Sequence, residues 1–335
     1  MIMRSILISD KKQKITDVYS AALIADLRRR AALDEGVYSR EEILATPERF
    51  ADVEYLFSTW GMPAFTEEEI ELCFPNLKCV FYAAGSVQKF ARPFLEKGIK
   101  VFSAWAANAV PVAEYTLAQI LLANKGYYFT SRVMSQGEHR QAKQLAACYP
   151  GNYGERVGLL GVGMIGSLVA EMLKDYRLEV LAFDPFLSDE KAKRLNVKKA
   201  SLDEIFSTCR VVSNHLANNE QTVGMLNGGL FASMMPYATF INTGRGAQVV
   251  EEDLARVLGE REDLTAILDV TYPEPPVEGH PFYSLPNCIL TPHIAGSMGN
   301  ETHRMAEYMA EEWERYTKGE QTRYEVTLSM LATMA

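Results

Sequence analysis

Three ionisable side chains stand just after short apolar runs that predict β-strands, namely Arg245, Glu274 and His293. Ligands of open parallel sheets bind outside the carboxyl ends of the strands, so we expect these side chains to converge. A guanidinium can hold a carboxylate and polarise the adjoining carbonyl, and an imidazolium can give that carbonyl oxygen a proton. A carboxylate beside the imidazole favours its protonated form near neutral pH. The set suits hydride reduction of a 2-oxo acid.

A glycine-rich turn provides a place for the hydride carrier. The apolar run 157–160 leads into Gly-Val-Gly-Met-Ile-Gly at 161–166, and a segment with helical apolar spacing follows. The first glycine allows a tight turn, the second lets a pyrophosphate approach, and the third lets the helix pack closely on the strand. The phosphates would lie at a helix N-terminus, where free N–H groups favour anions. This pattern predicts dinucleotide binding.

The choice of dinucleotide is predicted from the residue that ends the next apolar run, Asp184. An acid at this distance from the glycines is expected to bind the adenosine ribose hydroxyls and to repel a 2′-phosphate. The residues at 185–188 include no Arg or Lys that would neutralise such a phosphate. The sequence therefore favours NAD and disfavours NADP.

Length and composition narrow the class of protein. The chain has 335 residues, 48% of them hydrophobic, and a formal charge of -9, which indicates two globular domains and argues against a nucleic-acid partner. Its five cysteines have no metal-type spacing, so we expect no metal site and small buried thiols in a reducing compartment. No apolar run is long enough for a membrane span or a signal peptide, and a cytoplasmic protein without a membrane partner is predicted.

Strand and helix patterns alternate along the chain, which indicates parallel α/β sheets. A single helix is expected at 15–30, a long buried helix at 112–125 after Pro111, and a polar surface connection at 136–153. An amphipathic helix is expected at 301–318, and the apolar tail 324–335 should pack back on the protein. The predicted strands are 5–9, 53–58, 77–82, 99–103, 157–160, 180–183, 211–213, 238–241, 265–268 and 288–290. The remaining predicted helices are 65–73, 167–174, 202–207, 228–233 and 250–258.

The ordered motifs resemble those of the NAD-dependent D-2-hydroxyacid dehydrogenase family, which includes phosphoglycerate, glycerate and D-lactate dehydrogenases. They are the glycine turn at 161–166, the acid at 184, NTGRG at 242–246, LDVTYPEP at 268–275 and TPHIAG at 291–296. The resemblance covers nearly the whole chain, and the ordered set is more specific than any single motif. It implies an α/β fold with two Rossmann-like, doubly wound parallel-sheet domains. A substrate-binding domain of 1–108 plus 299–335 would hold an inserted NAD-binding domain of 109–298.

The resemblance also implies roles for particular residues. Arg245 would bind and polarise the substrate, His293 would be the acid/base, and Glu274 would tune His293. The backbone N–H groups of Ala84 and Gly85 would hold the substrate carboxylate. His215 either lines the cofactor pocket or packs within a loop, and a homodimer is usual for the family. The cofactor contacts implied in this way are Gly161, Gly163, Met164, Ile165, Gly166, Asp184, Thr243, Asp269 and Gly296.

Several alternatives stay open at this point. Taken singly, Arg245, Glu274 and His293 are each as compatible with a structural role as with catalysis, although their ordered occurrence favours catalysis. Gly244 stands where the family more often has Ala or Ser, which would loosen the Arg245 loop. An NAD(H)-binding regulator or corepressor-like protein on the same fold is the main alternative, and an enzyme acting on formate or phosphite is another. The substrate side chain stays undetermined, and we expect reduction to be the direction favoured in the cell.

Overall fold

The computed structural model describes residues 4–332, and contacts within the chain divide it into two compact units. The first unit runs to Asn108 and resumes at Ser297, while the second is Ala109–Gly296. The chain re-enters the first unit two residues earlier than the expected start at 299. The prediction for residues 333–335 of the apolar tail lies outside the described residues.

The elements below are those of residues 4–332. The strands are β1 Arg4–Ile8, β2 Leu33–Tyr38, β3 Val53–Ser58, β4 Cys79–Tyr82, β5 Lys100–Ser103, β6 Tyr153–Leu160, β7 Arg177–Phe183, β8 Val197–Lys199, β9 Val211–Asn214, β10 Thr239–Asn242, β11 Thr265–Leu268, β12 Cys288–Leu290 and β13 Glu325–Val326. The α-helices are α1 Lys12–Val18, α2 Ala21–Arg30, α3 Arg40–Ala45, α4 Glu67–Cys73, α5 Ala91–Glu96, α6 Trp105–Asn124, α7 Tyr127–Ser135, α8 His139–Ala146, α9 Met164–Leu173, α10 Asp189–Leu195, α11 Leu202–Thr208, α12 Gly228–Ala232, α13 Glu251–Glu260 and α14 Glu301–Thr317.

The first unit is built on a six-stranded sheet in the order β13-β5-β4-β3-β1-β2. Five strands run parallel, and β13 pairs antiparallel with β5. Successive residues of a strand point to opposite faces, so Leu56 and Val80 enter one buried cluster while Phe57 and Phe81 enter the other. The C-terminal segment contributes Val326 and Leu331 to the first of these clusters, as its apolar pattern predicts.

The second unit is a seven-stranded, fully parallel sheet in the order β12-β11-β10-β9-β6-β7-β8. Apolar clusters cover both faces of this sheet, which explains the near-continuous apolar runs of its strands. The strand order reverses between β6 and β9, and such a reversal opens a crevice at the carboxyl ends of the strands. The predicted α/β class with two doubly wound sheets is confirmed.

The single helix predicted at 15–30 is wrong, because the chain breaks after Val18. Tyr19 is buried, and its hydroxyl donates to the carbonyl of Ser58 at 3.1 Å. Ser20 begins the second helix by accepting the N–H of Leu23 on its hydroxyl at 3.2 Å. Since both helices keep the same apolar period, the pattern alone shows no interruption.

Two further helix predictions need correction. The helix expected after Pro111 starts already at Trp105 and keeps the proline inside, so the proline does not mark its start here. The connection expected at 136–153 contains α8, whose Ala142 is buried while most of its residues are exposed. A short polar helix with few buried residues gives little periodic signal.

Edge strands were also missed. β2 and β8 lie at the outer ends of their sheets and are rich in charged or exposed residues. Such strands lack the continuous apolar run that marks an inner parallel strand. Among residues 4–332, no helix combines the length and apolarity required to cross a bilayer.

Candidate active site

The three glycines of the turn after β6 differ in what surrounds them. Gly161 adopts φ +84°, and a Cβ there would lie 2.7 Å from the carbonyl oxygen of His215. A Cβ at Gly166 would lie 2.1 Å from the carbonyl oxygen of Gly161, whereas one at Gly163 would meet nothing within 4 Å. The outer two glycines are therefore required by packing, and Gly163 faces open space through which a pyrophosphate could approach.

The turn leads directly into α9, whose first N–H groups carry no side-chain cap. Met164 is 41% exposed at its first position, and Ile165 packs partly into the core. N–H groups without a side-chain cap at the start of a ten-residue helix favour the binding of a phosphate. These residues fit a dinucleotide.

Asp184 lies beside this turn at the end of β7. Its carboxylate accepts the backbone N–H of Val162 at 2.8 Å and that of Phe186 at 2.8 Å. These bonds fix the carboxylate next to the glycines, where a ribose would lie when the phosphates occupy the helix N-terminus.

Beyond residues 185–188, a cation does reach the glycine turn beside Asp184. Lys191, on α10, donates from its ammonium group to the carbonyl of Val162 at 2.6 Å. Val162 of the glycine turn is therefore held by both side chains: Asp184 accepts its N–H, and Lys191 donates to its carbonyl. The sequence prediction considered only residues 185–188, whereas the helix begun by Ser188 returns a lysine to the turn.

His215 lies between the glycine turn and the loop after β10. Its Nε2 is 3.0 Å from the Ser213 hydroxyl, and its Nδ1 is 3.4 Å from the hydroxyl of Thr243. Burial lowers the pKa of His215 to about 4, so the ring is neutral at pH 7. Thr243 is itself buried and also approaches the Thr116 hydroxyl at 3.4 Å.

A buried amide network holds the loop that carries Arg245. The Gln248 side-chain oxygen accepts the Asn214 amide at 2.6 Å and the backbone N–H of Arg245 at 3.3 Å. The Asn214 amide also donates to Asn242 at 3.0 Å, and the Asn242 amide donates to the Arg245 carbonyl at 3.2 Å. The expected loosening by Gly244 is countered by this network, which lies 3.0 Å from the place of a Cβ at Gly244.

Arg245 itself is partly buried. Its Nη1 donates to the carbonyl of Gly244 at 2.8 Å. Burial lowers the pKa of the guanidinium, and the negative charge of Glu274 acts in the opposite direction. A sheltered guanidinium of this kind favours an incoming anion, because a carboxylate restores the interactions lost with water.

Glu274 and His293 form a direct pair, with 2.7 Å between Oε1 and Nδ1. Both side chains are nearly half exposed, at 43% and 46%, so Nε2 of the imidazole can reach a ligand. His293 adopts φ 56°, a backbone conformation that non-glycine residues rarely adopt and that often marks a functional site.

Asp269 holds the loop in which His293 stands. One carboxylate oxygen accepts the Thr291 hydroxyl at 2.6 Å and the Ile294 N–H at 2.8 Å, and the other accepts the Ala295 N–H at 2.9 Å. Asp269 is only 2% exposed. The structure thus places it as a brace beneath His293, while the half-buried Gly296 ends the second unit.

The predicted carboxylate loop belongs to the first unit. Ala84 is buried, and its backbone N–H donates to the carbonyl of Tyr82 at 2.9 Å, which leaves it poorly placed to bind a substrate. Gly85 is half buried, with nothing within 4 Å of the place of a Cβ. The Ser103 hydroxyl donates to the carbonyls of both residues and fixes this loop.

The remaining histidines and the cysteines differ in burial. His139 is exposed, the His280 side chain is only 12% exposed, and His303 contacts the carbonyl of Val18 at 3.0 Å. Cys148 is exposed, which corrects the expectation that every thiol is buried. Within residues 4–332, no group of three or more His, Cys, Asp or Glu side chains is arranged to hold a metal.

Comparison with known families adds an independent observation. Residues 117–295 match the family model described as D-isomer specific 2-hydroxyacid dehydrogenase, NAD binding domain. The match includes the glycine turn, Asp184, Arg245, Glu274 and His293.

Individual relatives cover most of the chain. A D-3-phosphoglycerate dehydrogenase of Archaeoglobus fulgidus is 28% identical over 87% of this chain and 54% of its own length. A glyoxylate reductase of Korarchaeum cryptofilum is 28% identical over 86% of both chains. The apo D-mandelate dehydrogenase of Rhodotorula graminis superposes with a TM-score of 0.80, at 18% identity, over 97% of this chain and 98% of its own. The chain spans about half the length of several phosphoglycerate dehydrogenases that it matches.

Proposed function

The chain belongs to the D-isomer specific 2-hydroxyacid dehydrogenase family, and from that premise we propose that it interconverts a small D-2-hydroxy acid and its 2-oxo acid with NAD(H). The observation that carries the proposal is the Glu274–His293 pair, joined at 2.7 Å, together with the partly buried guanidinium of Arg245, on which the charge of Glu274 acts. A cation for a carboxylate and a proton donor for a carbonyl are what a 2-oxo acid requires.

Each residue has a separate task in reduction. Arg245 holds the substrate carboxylate and draws electron density from the neighbouring carbonyl. His293 donates a proton from Nε2 to the carbonyl oxygen, while Glu274 at Nδ1 stabilises the protonated ring. The nicotinamide supplies the hydride when NADH is bound. Gly85 is the backbone donor we assign to the substrate carboxylate, since the Ala84 N–H is already bonded.

Cofactor contacts follow the turn after β6. Gly163, Met164 and Ile165 would hold the pyrophosphate, and Asp184 would bind the ribose hydroxyls and favour NAD over NADP. His215 and Thr243 would border the nicotinamide end, because they lie together between the turn and the Arg245 loop. Asp269 would act through the His293 loop.

We also propose a homodimer in a reducing, cytoplasmic compartment. Leu122, Tyr127 and Met134 lie on α6 and α7 and are 38%, 52% and 49% exposed, which makes these helices the candidate contact between two copies. The five cysteines are free thiols, which suits the proposed compartment. Light scattering on the purified protein tests the oligomeric state.

The test of activity is NADH oxidation against glyoxylate, hydroxypyruvate, pyruvate, and branched and aromatic 2-oxo acids. We expect turnover with one subset and a loss of about a hundredfold or more in Arg245→Ala. NADH fluorescence titration should give the same affinity for both proteins, because Arg245 faces the substrate.

Two outcomes would favour the alternatives. NADH binding without turnover across the panel supports an NAD(H)-binding regulator. Turnover with formate or phosphite, which have no carbonyl for His293 to protonate, supports a different reaction.

Oxidation of 3-phosphoglycerate would extend to this chain the activity named for its Archaeoglobus relative.

A further inference from the structure

A second carboxylate contacts the backbone two residues before Glu274. Glu251 occupies the first turn of α13, and its side chain is 10% exposed. Its Oε1 accepts the backbone N–H of Tyr272 at 2.8 Å. Burial raises the pKa of Glu251 to about 7, in keeping with this sheltered position. The next residue along, Glu252, is exposed.

The other oxygen of Glu251 faces a histidine. Oε2 lies 3.7 Å from Nε2 of His280, whose side chain is 12% exposed. His280 Nδ1 accepts the backbone N–H of Phe282 at 3.3 Å. The ring proton is thereby left on Nε2, the nitrogen that faces Glu251. One carboxylate thus contacts both ends of the segment 272–280.

This segment carries Glu274. The Tyr272 side chain is 70% exposed, so that end of the segment is held through its backbone. Glu274 is itself 43% exposed, and it meets His293 across 2.7 Å. A small displacement of the segment would therefore lengthen the hydrogen bond between Glu274 and His293, which weakens steeply with distance and angle.

We propose that Glu251 is a positioning residue that fixes the segment 272–280 and so keeps Glu274 hydrogen-bonded to His293. The catalytic consequence rests on the proposed function, since it matters only if His293 is the proton donor. The structural consequence, an intact Glu274–His293 bond, does not depend on any activity.

Three variants separate positioning from general stability. Glu251→Ala removes both contacts, Glu251→Gln keeps an oxygen for the Tyr272 N–H, and the exposed Glu252→Ala is the matched control. We expect the turnover number for the best 2-oxo acid to fall about tenfold in Glu251→Ala, with a smaller change in KM, and to be largely restored in Glu251→Gln. The alkaline limb of the pH profile of reduction should move to lower pH in Glu251→Ala alone.

A spectroscopic readout makes the test independent of turnover. The downfield proton of the His293 Nδ1–H···Glu274 bond, assigned by its loss in His293→Gln, should disappear or weaken in Glu251→Ala and persist in Glu251→Gln and Glu252→Ala. If Glu251→Ala keeps both this resonance and the wild-type pH profile, the positioning role is refuted. A wild-type protein that shows the resonance but turns over no 2-oxo acid would instead refute the proposed function.

Discussion

Gly246 lies so close to Thr271 that a Cβ added to the glycine would stand 2.0 Å from the threonine carbonyl carbon. Gly246 follows Arg245, and Thr271 precedes the segment that holds Glu274. The loops that carry two of the proposed reacting groups are thus in direct backbone contact, so the spacing of these groups depends on a missing side chain.

Gly246→Ala should therefore separate the two loops. We expect the free energy of unfolding to fall by about 1–3 kcal/mol and kcat/KM to fall by about a hundredfold. Gly259→Ala in α13 is the control, because the nearest atom to a Cβ there is 4.0 Å away. A helical glycine replaced by alanine should raise stability by about 0.5–1 kcal/mol. Urea unfolding and steady-state kinetics measure both effects, and wild-type kcat/KM in Gly246→Ala would contradict the first.

We expect the replacement of Gln248 to damage the protein as much as the replacement of a residue that contacts the ligand. Its amide nitrogen donates to the carbonyls of Leu216 and Ala217 at 2.8 and 3.0 Å, and its oxygen accepts from Asn214. Gln248→Ala leaves several buried groups unpaired, so the free energy of unfolding should fall by about 2–4 kcal/mol.

Gln248→Glu sharpens this prediction because it preserves shape. A carboxylate oxygen would then face the carbonyls of Leu216 and Ala217, and the loss of stability should grow as the pH rises. The exposed Gln221→Ala is the control. Thermal unfolding at two pH values distinguishes the variants, and a pH-independent loss in Gln248→Glu would contradict the assigned orientation of the amide.

The sequence predicts those parts of the site that follow directly from strand ends. Asp184, Arg245 and His293 each come just after an apolar run, and inner parallel strands produce such runs because both faces are buried. The pairing of Glu274 with His293, across 19 positions of the chain, also agrees with their predicted chemistry.

The remaining residues of the site depend on contacts that no local pattern records. Gln248 and Asn214 are 34 positions apart, and nothing around either amide shows that they bond. Lys191 reaches Val162 only because α10 turns back toward the glycines. The break between α1 and α2 is similarly set by the burial of Tyr19, which packs between elements distant in sequence.

His215 should make the protein less stable in mild acid. Its folded pKa of about 4 lies below the unfolded value near 6.5, so the unfolded chain binds the proton more readily between these values. Its contribution to stability is therefore present above pH 6.5 and is lost as the pH falls toward 4, by up to about 3 kcal/mol.

The comparison of wild type with His215→Gln isolates this contribution from other titrating groups. The difference in unfolding free energy between the two proteins should shrink as the pH is lowered from 7 to 5. Urea unfolding at intermediate pH values measures it. A constant difference across this range would show that the ring titrates alike in the folded and unfolded chain.

Lys191 should set how strictly NADP is rejected. Its ammonium and the Asp184 carboxylate bind the same residue, Val162, so a 2′-phosphate placed beside Asp184 would also meet a positive charge. We expect the wild type to prefer NADH and Lys191→Gln to bind NADPH about tenfold more weakly, with a much smaller change for NADH.

The exposed Lys193, on the same helix, provides the control for net charge. Lys193→Gln should leave both affinities nearly unchanged, because long-range interactions between exposed charges are screened by salt. Asp184→Asn should raise NADPH affinity, since it removes the repelling charge while keeping an oxygen for the Val162 N–H. Fluorescence titrations with NADH and NADPH measure all four proteins. Equal losses for the two cofactors in Lys191→Gln would show that the lysine only braces the glycine turn.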